Sequence, residues 1–177
     1  MKKLLAIGLA LVLAGCGQAY TPKVAKAPTK KLTRGVDAYI ILPEMARHGD
    51  NIYPASSQQV AGSLMKAFDR YLGAVKVGRK YETVAQATES AKAMGARYLI
   101  APSIITWEDR ITHQFAMKPD KVGIKVVTRD MKTGEVVASA EIGNALLWRP
   151  TLGDQRLQIG PEEMLPDTVP PYVKTLF

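Results

Sequence analysis

Val122-Gly123-Ile124-Lys125-Val126-Val127-Thr128-Arg129-Asp130-Met131-Lys132-Thr133-Gly134-Glu135-Val136-Val137-Ala138-Ser139-Ala140-Glu141-Ile142 alternates with a period of two on either side of a polar pentapeptide. Val122, Ile124 and Val126 share one face, and Val136, Ala138, Ala140 and Ile142 share another. Successive strand side chains point to opposite faces, so this alternation predicts two strands, each buried on one side. Asp130-Met131-Lys132-Thr133-Gly134 between them is turn chemistry, with Gly134 free to adopt a positive φ. The segment therefore reads as an antiparallel hairpin.

Upstream, the pattern changes. Ala38-Tyr39-Ile40-Ile41-Leu42, closed by Pro43, reads as a buried strand. Residues 44–55 contain Gly49, Asp50, Asn51 and Pro54 and read as a loop. Ser56 and Gln59 match a capping box. The helix they open runs to about Leu72, with Val60, Leu64, Phe68, Tyr71 and Leu72 on one face, and Gly73 ends it. Residues 74–77 form a short strand closed by Gly78. Thr83 caps a second helix through Met94, with Ala85, Ala91 and Met94 among its packing positions and Gly95 as its carboxyl cap. Residues 97–107 are strongly apolar, and Pro102 implies an edge or a bulge there. The order is β-α-β-α-β followed by the hairpin. It predicts an α/β (α+β) fold: a mixed sheet of about five strands with two main helices packed on it. Four prolines after residue 160 (Pro161, Pro166, Pro170, Pro171) predict short carboxyl-terminal helical turns rather than a long helix. The apolar Met164, Leu165, Val169, Tyr172, Val173, Leu176 and Phe177 dock that tail on the domain.

At the other end, Lys2 and Lys3 precede an uncharged apolar run over residues 4–13, followed by Ala14-Gly15-Cys16. Ten helical residues span about 15 Å, half of a roughly 30 Å bilayer core, so residues 1–15 read as a signal peptide. Leu13-Ala14-Gly15-Cys16 closely resembles the lipobox of bacterial lipoproteins. The resemblance implies cleavage before Cys16, a diacylglycerol on its sulfur and an acyl chain on its new amino group. No other cofactor is expected. Such an anchor carries two or three chains and holds a protein stably on a membrane. In the sorting rule of that class, Gly17 and Gln18 after the cysteine favour the periplasmic face of the outer membrane over the inner one.

Cys16 is the sole cysteine, which excludes a disulfide framework and cysteine-based metal sites. The formal charge of +8 is unevenly spread. Lys2 and Lys3 leave with the signal peptide, and Lys23, Lys26, Lys30, Lys31 and Arg34 lie in a segment without acids. The remaining 17 basic residues face all 16 acids, so residues 36–177 carry about +1. That balance lacks the basic face of a nucleic-acid binder. Residues 16–35 read as the lipidated cysteine and a disordered basic tether. Its charge either holds it near anionic head groups or merely keeps a spacer soluble. Residues 36–177 are a single globular domain.

The lipobox, Tyr39-Ile40-Ile41-Leu42-Pro43, Tyr53-Pro54-Ala55-Ser56-Ser57-Gln58-Gln59, Ala91-Lys92-Ala93-Met94-Gly95-Ala96-Arg97-Tyr98-Leu99, Trp107-Glu108-Asp109-Arg110 and Asp130-Met131-Lys132-Thr133-Gly134 together resemble an uncharacterised family of small proteobacterial lipoproteins, known as a domain of unknown function. More loosely, the strand–helix pattern is similar to the amino-terminal domain of TolB and to CsgG-type lipoproteins. These resemblances imply a fold and an envelope setting, and no reaction.

Trp107-Glu108-Asp109-Arg110, with His113 nearby, is the one concentration of reactive side chains, and it is the candidate binding patch. Adjacent strand carboxylates point to opposite faces, which argues against a shared acid–base role for Glu108 and Asp109. His48 and His113, the only histidines, lie 65 positions apart without paired-ligand spacing and read as surface residues, not zinc ligands. Ser56 and Ser57 lack a nucleophile-elbow context. Trp148 and Arg149 end the last strand, in contact with Trp107 or at the rim of the core. The expected function is a non-catalytic, lipid-anchored envelope module that binds a protein or polymer. The alternative is a periplasmic hydrolase or metal-dependent enzyme using Glu108, Asp109 and His113.

Overall fold

A computed structural model describes residues 23–26, 31–109, 120–146 and 160–177. Its strands are β1 (Lys23–Lys26), β2 (Ala38–Leu42), β3 (Ala46–His48), β4 (Asn51–Tyr53), β5 (Val75–Tyr81), β6 (Tyr98–Glu108), β7 (Asp120–Asp130) and β8 (Val136–Leu146). Three helices accompany them: α1 (Ser56–Phe68), α2 (Val84–Met94) and α3 (Pro161–Thr175). The fold is α+β, with the mixed sheet ordered β1-β8-β7-β6-β2-β5 and a separate β3-β4 hairpin. β2 runs parallel to both β5 and β6, as the two helical crossovers require. β6, β7 and β8 are antiparallel. The opening hairpin forms as its sequence dictates: Gly134 has φ +74°, and its N–H donates to Asp130 O at 2.8 Å.

Two apolar layers flank the sheet. On one face Ile40, Tyr98, Ile100, Ile124, Val126 and Ile142 pack against α1 and α3. On the other, Ile41 and Leu99 meet Ala87 and Ala91 of α2. α2 is bounded as expected. Thr83 and Gln86 form a reciprocal capping box, and Gly95 closes the helix at φ +74°. Its buried small residues are Ala87 and Ala91, whereas Ala85 is exposed. Pro102 lies beyond the three residues of β6 that pair with β2, so its missing N–H falls where the ladder on that side has ended. A bulge follows between Ile104 and Thr106.

The structure corrects several local expectations. α3 is one continuous helix of 15 residues, not a pair of short turns. Pro161 sits in its first turn, where no N–H is needed. Pro166, Pro170 and Pro171 withhold their bonds from the carbonyls of Glu162, Pro166 and Asp167, all exposed residues whose carbonyls water can satisfy. The opposite stripe, including Met164, Val169, Tyr172 and Val173, is buried on α1 and the sheet and offsets the helical cost of the prolines.

Ser56 is not a cap, since Ala55 holds that position. Its hydroxyl instead donates to Tyr53 O (2.6 Å) and accepts from Ala46 N (2.8 Å), bracing the β3-β4 hairpin against α1. That hairpin occupies the stretch read as a loop, turning at Gly49 with φ +58°. α1 ends at Phe68 rather than near Leu72. β5 runs through Gly78 instead of stopping there, and a Cβ at that position would stand 2.9 Å from a Glu82 carboxylate oxygen and 3.0 Å from the Tyr39 hydroxyl.

The packed chain also begins earlier than residue 36. Lys23–Lys26 pairs with β8 as an edge strand, so this part of the expected tether is built into the sheet. Leu32 is buried and donates its N–H to Leu176 O at 2.8 Å. The carboxyl-terminal residues dock as expected. Phe177 stacks on Tyr71 at 4.7 Å, and the Arg34 guanidinium lies 5.0 Å from the Tyr71 ring centre.

Candidate functional site

β6 carries the sequence-derived patch to the end of the sheet and then divides it. Trp107 points into the core at 3% exposure, against Tyr53 at a ring separation of 6.5 Å. Glu108, one residue on, takes the other face, where the Lys121 ammonium of β7 lies 3.6 Å from its carboxylate. Asp109 is exposed. Arg110, His113, Trp148, Arg149 and the lipidation candidate Cys16 lie outside the described residues. Trp107 thus packs the interior, and the patch is not assembled as one surface among the described residues. His48 and Asp50 sit exposed at the β3-β4 tip. Among the described residues no three His, Cys, Asp or Glu side chains are grouped to hold a metal ion.

The structure presents a different concave surface. β2 and β5 are parallel, so their carboxyl ends lie side by side, the place where open sheets with helical crossovers leave a crevice. The chain leaves β2 through Pro43 into Glu44 and Met45, and leaves β5 at Tyr81 just before the cap of α2. A hollow of about 510 Å³ lies there, walled on its far side by Ala101 to Ile104 of β6. A second, of about 520 Å³, continues past Met45 to Pro54 and the start of α1. The described residues include five large apolar side chains left exposed: Met45, Ile52, Tyr81, Val84 and Ile105. Met45 (49%), Tyr81 (53%) and Val84 (51%) line the first hollow. Exposed apolar area gathered in a concavity, rather than scattered singly, marks contact with another molecule.

The two carboxylates of this crevice, Glu44 and Glu82, are already engaged. A hydrogen bond to the Glu44 carboxylate, reinforced by its charge, raises the Tyr81 phenol above its ordinary pKa. Glu82 accepts from the Tyr39 hydroxyl at 2.5 Å and from Ser90 Oγ at 2.7 Å. Burial, then the Glu82 hydrogen bond, raises the Tyr39 phenol. Both tyrosines are therefore held protonated as donors to carboxylates. That arrangement fixes the walls, and it suits recognition better than proton transfer. Sequence reasoning missed this surface because it ended β5 at Gly78. The available signal was the parallel β-α-β order itself, which places a crevice at the carboxyl ends of its strands.

A smaller hollow of about 400 Å³ separates α1 from α3, with Lys66 and Arg70 on one wall and Pro166 and Pro170 on the other.

Comparison with known proteins adds a family and a fold. The family described as a domain of unknown function, DUF4823, matches residues 30–176. No curated protein sequence matches the chain. Among solved structures, the dodecamer of a single-residue PelC variant from Paraburkholderia phytofirmans superposes with a TM-score of 0.62 at 17% identity, covering 89% of this chain and 98% of that one. A second PelC dodecamer from the same organism gives 0.56 at 18% identity, with 88% and 96% covered. Protein XCC0632 from Xanthomonas campestris gives 0.53 at 16% identity, with 88% and 95% covered. At these identities the likeness is one of fold.

Proposed function

The chain belongs to the DUF4823 family, and we propose that it is a lipid-anchored module of the cell envelope that binds or assembles with an envelope protein or polymer without catalysing a reaction. The observation that carries this reading is the crevice at the ends of β2 and β5, where Met45, Tyr81 and Val84 stand exposed beside carboxylates already engaged by tyrosines. The fold it shares with PelC, solved as a dodecamer, supports an assembly role. Cys16 carries the proposed diacylglycerol and N-acyl chain, and Gly17 and Gln18 direct the protein to the periplasmic face of the outer membrane. The hydrolase alternative draws no support from Glu108, which lies beside Lys121 on the face opposite Trp107.

Two experiments test the proposal. A photoreactive phenylalanine analogue replacing Tyr81 or Met45 in cells should trap a discrete adduct. The same residue at Thr133, on the exposed turn of the β7-β8 hairpin, should not. Adducts at Thr133 and none at Tyr81 or Met45 would exclude the crevice as the contact surface. Cys16→Ser should block fatty-acid labelling and leave the precursor uncleaved. Normal labelling of that variant would remove the anchor from the proposal.

A further inference from the structure

The sheet has two edges, and they differ in length. One ends in β1, a strand of only four residues. The other ends in β5, which has seven residues and, among the described residues, pairs with β2 alone. An edge strand presents unpaired N–H and C=O groups along its outer side, a template for another extended backbone. Pairing with β2 is regular from Val75 to Val77 and then slips: Ile40 stands opposite Val77, and Leu42 opposite Tyr81. Four steps along β5 thus match two along β2, and the surplus carries Arg79 and Lys80. Both are exposed, as is Lys76. None of these three cations forms an ion pair among the described residues. The acids around them are engaged elsewhere. Asp37 accepts from Ala74 N at 2.8 Å, Glu82 accepts from Tyr39 and Ser90, and Glu44 accepts from Tyr81.

These charges decide what can pair there. Two copies of β5 laid antiparallel would set Lys76 of one near Arg79 or Lys80 of the other. Laid parallel, they would set each cation beside its own counterpart. Like charges across a strand pair are destabilising, so the edge repels a second copy and favours a segment with acids at those positions. Only a polypeptide carries N–H and C=O groups at strand spacing, which selects a protein over a glycan polymer. At its carboxyl end the edge reaches Tyr81, which borders both hollows of the crevice. We propose that the outer edge of β5 takes up an extended, acidic segment of a partner protein as an added strand. The proposal rests on the binding-module reading above and specifies the class of partner.

The full chain, purified in detergent and titrated with fluorescent synthetic peptides, provides the test. The probe peptide alternates Glu with Val, a strand-forming pattern. It should bind, and it should slow amide hydrogen exchange within residues 75–77. A peptide with Lys in place of Glu should bind about tenfold more weakly. Lys76→Glu and Lys80→Glu, both at exposed positions, should each weaken the acidic peptide about fivefold, as expected when a cross-strand charge pair is reversed. Methylating alternate backbone nitrogens of the peptide keeps its charge and removes its ladder bonds, so binding should be lost. Equal binding of the methylated peptide would reveal attraction of charge alone, as for any anionic polymer, and would overturn strand addition. Equal binding of acidic and basic peptides, or protection confined to residues outside β5, would also overturn it. The photoreactive residue at Tyr81 or Met45 separates the two readings. Adducts there without a peptide response at β5 remove the edge and keep the crevice, and the converse removes the crevice and keeps the edge.

Discussion

Raising the pH past the ordinary range of a phenol should destabilise this domain through one residue. Tyr172 lies on α3 at 1% exposure, and its hydroxyl and the buried Thr128 hydroxyl of β7 are both without a well-formed hydrogen bond. Burial pushes the Tyr172 phenol from 10.0 up to about 12, a shift that the nearby Thr128 hydroxyl opposes. Below pH 10 the phenol is neutral in both the folded and unfolded chain and contributes no pH dependence. Above it the unfolded chain releases a proton that the fold still holds, so stability falls. At about 1.4 kcal/mol per pH unit, the loss reaches about 2.3 kcal/mol at the folded value and levels off at about 2.7 kcal/mol above it. Urea midpoints compared at about pH 9 and 11 give the assay, with Tyr172→Phe as the reference that cancels the other tyrosines. By about pH 11 the wild type should lose about 1.4 kcal/mol more than the variant. At neutral pH Tyr172→Phe should be as stable as the wild type or slightly more so, since it removes a buried hydroxyl without a full partner. Identical alkaline slopes in the two proteins would refute the reasoning.

Trp107→Ala should destabilise the domain by about 3–5 kcal/mol, as core truncations of that size do, and thermal unfolding should show it. Retention of wild-type stability would return Trp107 to the surface. Pro166→Ala, on the exposed side of α3, restores a helical N–H and should raise the unfolding midpoint; a fall would mean the ring itself is needed. Thr83→Ala removes the capping hydroxyl of α2 and should cost about 1 kcal/mol in denaturant titrations, with no change in oligomeric state by light scattering.

The legible parts of this fold are those whose signals are local. Gly134 in its turn, Thr83 with Gln86, and Gly95 each settle an element boundary from a few neighbouring residues. α3 was illegible because proline rules describe one helix in water. Here a stripe of buried side chains on α1 and the sheet decides, and the three interior prolines fall on the wet side. Trp107 shows the same limit in the site. Alternation placed it opposite Glu108, but which face is the core depends on Tyr53 and β7, supplied by other parts of the chain. The crevice was hidden for a related reason: Met45, Tyr81 and Val84 come from three segments that only the parallel pairing of β2 and β5 brings together. Composition marked residues 16–35 as a tether, yet Leu32 is apolar and finds its pocket beside α3, 144 positions away.

That last contact sets a schedule for biogenesis. Leu32 and Leu176 bracket nearly the whole packed chain, and α3 covers the apolar face of α1. A nascent polypeptide lacking α3 has nothing to lay over that face, so hydrophobic burial stays incomplete until α3 has been made. Maturation is thereby postponed rather than progressive, and pulse-labelled intermediates should remain protease-sensitive until α3 is made.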